Sequence, residues 1–148
     1  MADLSAWLED PLAHRALDAL LRAGSRVTRR VARELERRGL SATGFSMLVV
    51  LVSAGGSLEL RTLRLRLGIS KANATEVVTT LVERGLVRRE RSRRDRRAAM
   101  IWATPAGERV VEDLFPAHAR RVRDAFIPLD DDEKRELTKL CRKLERAA

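Results

Sequence analysis

The stretch LRLRLGISKANATEVVTTLVERGLVRRERSRRDRRAAMIWATPAGERV, residues 63 to 110, decides the fold of this chain. Its second half holds seven arginines between Arg88 and Arg97, opposed only by Glu90 and Asp95. A run of like charge this dense usually forms a solvated, disordered segment. Here apolar residues flank it on both sides, which predicts a β-hairpin instead. The predicted parts are a strand at 86–91, a basic tip at 92–96 and a second strand at 97–103.

A helix–turn–helix precedes this hairpin. Gly68 provides the bend of the turn, and Ser70 can cap a helix that runs from Lys71 to Arg84 and ends at Gly85. Its predicted inner face consists of Ala74, Val77, Val78, Leu81 and Val82, and its outer face of Ala72, Asn73, Glu76, Thr79 and Thr80. A helix that reads the major groove needs such an apolar inner face and a small or polar outer face. An ordinary amphipathic surface helix has the same pattern.

Helices dominate the rest of the chain, because Leu, Ala, Arg and Glu are strong helix formers. The first helix, from Pro11 to Arg38, is roughly 40 Å long at 1.5 Å per residue. A small domain cannot cover that length, so part of its apolar stripe should meet another subunit. The other predicted elements are a helix capped by Ser41, a short strand in SLEL, a helix at 61–67, a helix at 105–126 bent or interrupted near Pro116, and a C-terminal helix with an Asp130–Glu133 capping box.

The charge balance points to a polyanionic partner. The 148-residue chain has a formal net charge of +9 and a pI of about 11.2. Between Arg61 and Arg97, twelve basic residues face four acidic ones, a net charge of +8. Nucleic acid and an anionic membrane surface both fit such a patch. No apolar run approaches the roughly 20 residues that span a bilayer, so we expect no membrane insertion.

The sequence does not point to an enzyme. It contains no G-x-S-x-G, no P-loop and no metal-ligand spacing, so we expect no catalytic residues, metal or cofactor. The lone Cys141 cannot form an internal disulfide, and the first residues lack the pattern of a signal peptide, which together predict a reducing, cytoplasmic setting. We interpret Cys141, His14 and His118 as structural residues, with a thiol switch or an effector-binding role as the alternatives.

The quoted stretch resembles the DNA-binding core of the MarR (multiple antibiotic resistance regulator) family. The matching features are the leucines before the turn, Ser70, the ERGLV segment at 83–87, the DRR of the hairpin tip, and Thr104 with Gly107. The similarity extends over most of the chain. It implies a mainly α fold with a small β-wing, a winged helix-turn-helix with N- and C-terminal dimerisation helices. The implied regions are residues 1–40 and 105–148 for dimerisation and residues 41–104 for DNA binding.

The resemblance implies a transcriptional regulator, a repressor, that binds a pseudo-palindromic double-stranded DNA operator as a homodimer. It also implies that Asp95 braces the wing through an ion pair with an arginine, and that Arg96 or Arg97 reaches the minor groove. Many members carry arginine where this chain has Glu76, which leaves the base preference open. Glu76 can accept a hydrogen bond from cytosine N4, or pair with a neighbouring basic residue. The candidate DNA-binding residues are Ser70, Lys71, Ala72, Asn73, Thr75, Glu76, Arg93, Arg94, Asp95, Arg96 and Arg97.

Two further possibilities follow from the same residues. Some family members bind small phenolic or lipophilic effectors, for which the bulky residues Trp7, Phe45, Trp102 and Phe115 are available, although core packing is the favoured role for each of them. The alternative function is a winged-helix adaptor that binds protein or structured RNA through its basic face.

Overall fold

The computed structural model describes residues 4–147 and is mainly α-helical with one small antiparallel sheet. A short 3-10 helix, Leu4–Trp7, precedes the main elements. The helices are α1 Pro11–Arg37, α2 Ala42–Ser53, α3 Leu60–Leu67, α4 Lys71–Glu83, α5 Pro105–Ala125 and α6 Asp131–Ala147, and the strands are β1 Ser57–Glu59, β2 Val87–Arg91 and β3 Ala99–Ala103. The predicted fold class, mainly α with a small β-wing, is confirmed.

Side-chain caps fix where four helices begin. The Asp10 carboxylate accepts hydrogen bonds from the Leu12 and Ala13 backbone N–H groups, both at 3.0 Å. The hydroxyl oxygens of Ser41, Ser70 and Thr104 each accept from the N–H group three residues on, as the sequence predicts. These groups have no partner within the helix, so each cap removes an unpaired donor at a helix end.

The two C-terminal helices differ in how well the sequence predicts them. The Asp130 and Glu133 side chains accept from each other's backbone N–H groups at 2.8 and 2.9 Å, so the predicted capping box is confirmed. The sequence predicted a bend or an interruption of α5 near Pro116, and the helix runs through Pro116 without an interruption. A proline removes one hydrogen bond from the ladder. The remaining bonds of this 21-residue helix keep its two halves in one element.

The sheet has the strand order β1–β3–β2, with both pairs antiparallel. Ile101 of the central strand pairs with Leu58 on one side and Arg89 on the other. The hairpin tip covers residues 92–98, which is longer than the predicted 92–96, because hydrogen bonds within the tip hold Arg97 and Ala98 outside β3. We call β2, this tip and β3 the wing.

The core lies between α2, α3, α4, the sheet and the first half of α5. Its fully buried side chains include Phe45, Leu48, Leu63 and Ile101. Most of the predicted inner face of α4 faces this core, but Val82 is 42% exposed. Ala74, Val78 and Leu81 share a narrow arc at 100° per residue, and Val82 lies at the edge of that arc. Assigning Val82 to the inner face was therefore wrong.

Apolar side chains remain uncovered on the first and last helices. Of α1 only Ala32 and Leu35, near its C-terminal end, are buried, and no residue of α6 that the structure describes is buried. The uncovered side chains on these two helices are Leu12, Leu17, Leu20, Leu21, Leu137, Leu140 and Leu144. Each helix is strongly amphipathic, so each presents an unpartnered apolar stripe. None of the helices between residues 4 and 147 combines the length and apolarity needed to cross a lipid bilayer.

Candidate nucleic-acid interface

The turn between α3 and α4 sets the direction in which α4 leaves the core. Gly68 ends α3 with a φ of +63°, a left-handed conformation that favours glycine. The Ile69 N–H group donates to the Arg64 carbonyl at 3.1 Å, and Ser70 then caps α4 by accepting from Asn73 N–H at 3.1 Å. Since the inner face of α4 is fixed in the core, its first turn is left at the surface.

Five of the predicted DNA-binding residues are exposed at the start of α4, namely Ser70, Lys71, Ala72, Asn73 and Glu76. Within residues 4–147 the side chains of Lys71, Asn73 and Glu76 have no hydrogen bond or ion pair. The suggested pairing of Glu76 with a basic neighbour therefore does not form. Asn73 and Glu76 also line a groove of about 410 Å³ between α4 and the start of α2. Both side chains are free to bind a partner.

The threonines of α4 are arranged differently. The hydroxyl groups of Thr75, Thr79 and Thr80 donate to the carbonyls of Lys71, Thr75 and Glu76 at 2.9, 2.9 and 3.2 Å. This back-bonding to the preceding turn is common for threonine in helices. A phosphate oxygen can only accept a hydrogen bond from these hydroxyl groups. Because their protons are already donated to helix carbonyls, the three threonines do not offer a donor to a phosphate in this arrangement. Thr75, which is half-buried, holds its proton inside the helix rather than at the surface.

The wing tip is a closed loop with its own hydrogen bonds. The Ser92 N–H group donates to the Ala98 carbonyl at 2.9 Å, and Ala98 N–H donates to the Asp95 carbonyl at 3.0 Å. The Asp95 carboxylate accepts from Arg97 N–H at 2.9 Å, and the Ser92 hydroxyl accepts from Arg94 N–H at 3.3 Å. The ion pair expected for Asp95 is absent among residues 4–147. Asp95 shapes the tip through the backbone instead, as Asp does in turns.

The arginines of the tip project from this loop without partners. Arg93, Arg94, Arg96 and Arg97 are all exposed, and none of their guanidinium groups forms an ion pair or hydrogen bond within residues 4–147. The loop therefore holds four positive charges close together against their mutual repulsion. Binding to a polyanion would relieve that repulsion. The wing is attached beside α4, since α4 packs against β2.

Arg88 has a different role from the tip arginines. Its Nε lies 2.9 Å from Glu90 Oε1, and its guanidinium lies 5.2 Å from the centre of the Trp102 ring. Arg88 and Trp102 are register partners, and alternation along β2 places Glu90 on the same face. Arg88 therefore stabilises the hairpin, although from the sequence alone it is one of the basic residues expected to face a polyanion. The two-residue spacing of Arg88 and Glu90 is the signal that could have distinguished it.

Arg84 is a residue that sequence reasoning counted only as a charge. Its Nη1 donates to the Gly39 carbonyl at 2.6 Å, and its Nη2 donates to the Arg38 carbonyl at 3.2 Å. These carbonyls lie at the end of α1, 45 and 46 residues away in sequence. No local pattern indicates such a contact. Arg84 thus connects the end of α4 to the end of α1.

The residues suggested for an effector site are only partly brought together. His118 contacts the buried Phe45 edge to face, with ring centres 4.9 Å apart, and lies 6.2 Å from the ring of Phe115. Burial lowers the pKa of His118 below its ordinary value, and the charge of Arg121 lowers it further. The His118 Nδ1 atom is buried without a hydrogen-bond partner in the described part of the chain. Trp7 is 77% exposed, outside this cluster.

Trp102, the fourth aromatic suggested for an effector site, lies in the wing, where it contacts Arg88. His14, by contrast, is exposed on α1. Across residues 4–147, no three His, Cys, Asp or Glu side chains cluster closely enough to hold a metal ion.

A helix–turn–helix followed by a basic wing defines a winged helix-turn-helix DNA-binding protein. Residues 38–98 match the model of the MarR family. The chain is also 30% identical over 122 residues to the HTH-type transcriptional regulator YkoM of Bacillus subtilis, and this alignment covers 82% of this chain and 79% of YkoM. The chain belongs to the MarR family of DNA-binding transcriptional regulators. The recognition that the sequence motifs suggested is confirmed.

Two further comparisons agree with this assignment. The HTH-type transcriptional regulator YwaE of Bacillus subtilis is 34% identical over 110 residues, which cover 74% of this chain and 64% of YwaE. The chain thus spans just under two thirds of that relative's length. The crystal structure of Sco3205, a MarR family regulator from Streptomyces coelicolor in complex with DNA, shares the fold with a TM-score of 0.84. The two sequences are 23% identical, and the superposition covers 93% of this chain and 92% of the Sco3205 chain.

Proposed function

We propose that this protein is a homodimeric repressor that binds a pseudo-palindromic DNA operator through α4 and the wing. The observation that carries the proposal is the set of four exposed, unpartnered arginines on a wing tip whose strand packs against α4. Each arginine laid against a phosphate releases counterions, so such a tip binds DNA in a salt-dependent manner. A minor groove narrowed by A·T base pairs also attracts arginine.

The residues at the start of α4 would read the operator. Asn73 can bind adenine N6 and N7 together, and Glu76 can accept from cytosine N4. Lys71 would contact a phosphate, and Ala72 is small enough to let the helix approach the bases. Ser70 shapes this turn through its cap, since its hydroxyl holds Asn73 N–H. The half-sites would therefore contain an adenine and a cytosine close together.

The uncovered apolar stripes support the homodimer. A second copy of the chain would cover the leucines of α1 and α6, with residues 1–40 and 105–148 forming the dimerisation regions and residues 41–104 the DNA-binding region. A groove of about 620 Å³ between the end of α5 and α6, lined by Val122, Phe126, Leu137 and Cys141 among others, continues this apolar surface. A two-fold dimer would place two recognition helices one helical turn of DNA apart, about 34–36 Å.

Repression and release by an effector complete the proposal. A dimer seated on an operator that overlaps a promoter blocks RNA polymerase without needing a further activity, and a DNA-binding repressor of this kind would act in the cytoplasm. The ring cluster of Phe45, Phe115 and His118, with its unpartnered Nδ1, supports a small phenolic or lipophilic effector. Release would then require the effector to change the position of the winged regions.

Selection of duplexes from a random library by the purified protein, combined with sedimentation, tests the proposal. We expect an inverted repeat among the selected duplexes, a dimer in sedimentation, and loss of transcription from a reporter promoter that carries the repeat. If the protein shows no preference for any sequence over scrambled duplexes, the result would instead favour the adaptor that binds protein or structured RNA. Increased transcription would contradict repression while leaving DNA binding intact.

A further inference from the structure

The end of α1 is held by two neighbouring helices at once. Arg84, directly after α4, donates to the Arg38 and Gly39 carbonyls with its two terminal nitrogens. The last carbonyls of a helix have no partner within the helix, and they carry the negative end of its dipole. The Arg38 carbonyl, at the C-cap, is the last of these, and the Gly39 carbonyl follows it directly outside the helix, so the Arg84 guanidinium pairs with one helix-end carbonyl and its neighbour.

The same end of α1 is tied to α5 on its other side. The Arg38 guanidinium lies 3.7 Å from the Asp113 carboxylate, and Glu34 lies 3.7 Å from Arg121. Arg38 therefore contacts α5 through its side chain and α4 through its carbonyl. Helix α1, one of the two helices with uncovered apolar stripes, therefore meets the end of the helix that would read DNA at this residue.

The backbone at this meeting point has one fixed conformation. Gly39 has a φ of +71°, and its N–H group donates to the Glu36 carbonyl at 2.9 Å. The Leu40 N–H group donates to the Leu35 carbonyl at 2.9 Å, and both leucines are buried. These hydrogen bonds hold the carbonyls that Arg84 binds in a defined orientation. The contact therefore constrains the position of Arg84 relative to the end of α1, in addition to pairing its charge.

We propose that Arg84 is a positioning residue that fixes the recognition helix α4 relative to the dimerisation helices. Through this contact it determines which separation between two operator half-sites the dimer accepts. The inference rests on the homodimer proposed above. Without the two hydrogen bonds, α4 would still fold and contact a half-site, since its inner face stays in the core. Its orientation relative to the partner subunit's α4 would vary more widely.

The experiment uses duplexes with the inverted repeat that the wild-type protein selects, together with duplexes whose centre is one or two base pairs shorter or longer. A duplex with a single half-site measures binding without any spacing requirement. The variants are Arg84→Ala and Arg84→Lys, and Arg109→Ala is the matched control, because it removes an exposed arginine from α5 whose side chain has no hydrogen bond or ion pair among residues 4–147. Thermal unfolding and sedimentation of each variant establish that it is folded and dimeric.

For the wild type and the Arg109→Ala control, we expect a one-base-pair change in spacing to weaken binding by about tenfold or more, which is of the order of a base-pair mismatch. For Arg84→Ala, we expect the same change to weaken binding by less than about threefold, with single half-site affinity within about threefold of wild type. Arg84→Lys keeps the charge but replaces the two terminal nitrogens, each of which reaches its own carbonyl, with a single ammonium group, and should give an intermediate spacing profile.

A spacing profile of unchanged shape in Arg84→Ala would overturn the inference, whether overall affinity is unchanged or uniformly lower. If Arg84→Ala does not fold, the Arg84→Lys profile decides, because a profile identical to wild type would show that only the charge matters. A wild type that is monomeric or shows no preferred spacing would instead overturn the homodimer proposal, and the spacing role of Arg84 with it.

Discussion

Removing two arginines from the wing tip should change the salt dependence of DNA binding. Arg96 and Arg97 are exposed and their side chains have no partner among residues 4–147, so the double variant Arg96→Ala/Arg97→Ala removes charge without breaking a side-chain contact. The tip should keep its shape, because the hydrogen bond from residue 97 to Asp95 uses the backbone N–H group, which alanine retains. Any change in DNA binding then reports on the two guanidinium groups.

The size of the effect follows from the number of phosphates neutralised. Each neutralised phosphate contributes a slope of about −0.9 to the logarithm of affinity against the logarithm of salt concentration. Two arginines in each subunit make four in a dimer, so the slope should become shallower by up to about 3.6. Between about 50 and 200 mM salt, the loss of affinity should therefore be smaller in the double variant than in wild type by up to roughly 150-fold.

Fluorescence anisotropy with a labelled duplex at four or more salt concentrations measures this slope. The control is Arg109→Ala/Arg120→Ala, which removes two exposed arginines from α5 and leaves the wing intact. We expect the control slope to match wild type within error. An unchanged slope and affinity in the wing variant would refute the assignment of the tip to DNA, and an equal change in the control would show that only total charge matters.

Three further variants test other parts of the structure. Asn73→Ala should reduce the preference for the selected operator over scrambled duplex by about 1–3 kcal/mol with little change in the salt slope, and competition binding measures both. Gly107→Ala should lower the free energy of unfolding in urea by about 1–3 kcal/mol, because the new Cβ would overlap the Leu86 carbonyl. Since the pKa of His118 is lowered in the folded state, the unfolded chain takes up a proton first as the pH falls below about 6.5. As the pH falls from 8 towards that lowered pKa, the free energy of unfolding of the wild type should decrease more than that of the His118→Gln variant. An equal pH dependence of the two proteins in urea unfolding would contradict a buried, neutral imidazole.

The features that could be predicted from the sequence depend on neighbouring residues. Ser70 and Thr104 cap their helices because a hydroxyl three residues before a free N–H group is within reach in any protein. The hairpin followed from the apolar residues on both sides of the arginines. The extent of the wing tip could not be predicted, because it depends on which backbone N–H group the Asp95 side chain binds.

The contacts that the sequence could not predict join distant segments or depend on the edges of helix faces. Arg84 binds carbonyls 45 and 46 residues earlier, and its partners are backbone atoms that no residue type identifies. Val82 fits the apolar period of α4, but the width of the buried arc depends on how closely α2 and β2 approach. The hydroxyl of Thr75 suits a phosphate by type, although its proton is engaged within the helix.

The exposed cations of the wing tip are all arginines, in a chain that has only four lysines, of which one lies near the candidate interface. A guanidinium group stays protonated at every pH a cell reaches, whereas lysine can lose its charge through acetylation or a shifted pKa. The attraction of this tip for nucleic acid is therefore permanent. The release from DNA proposed above would therefore have to act by moving the wing, since the charge of these arginines is not removed by a change of pH or by acetylation.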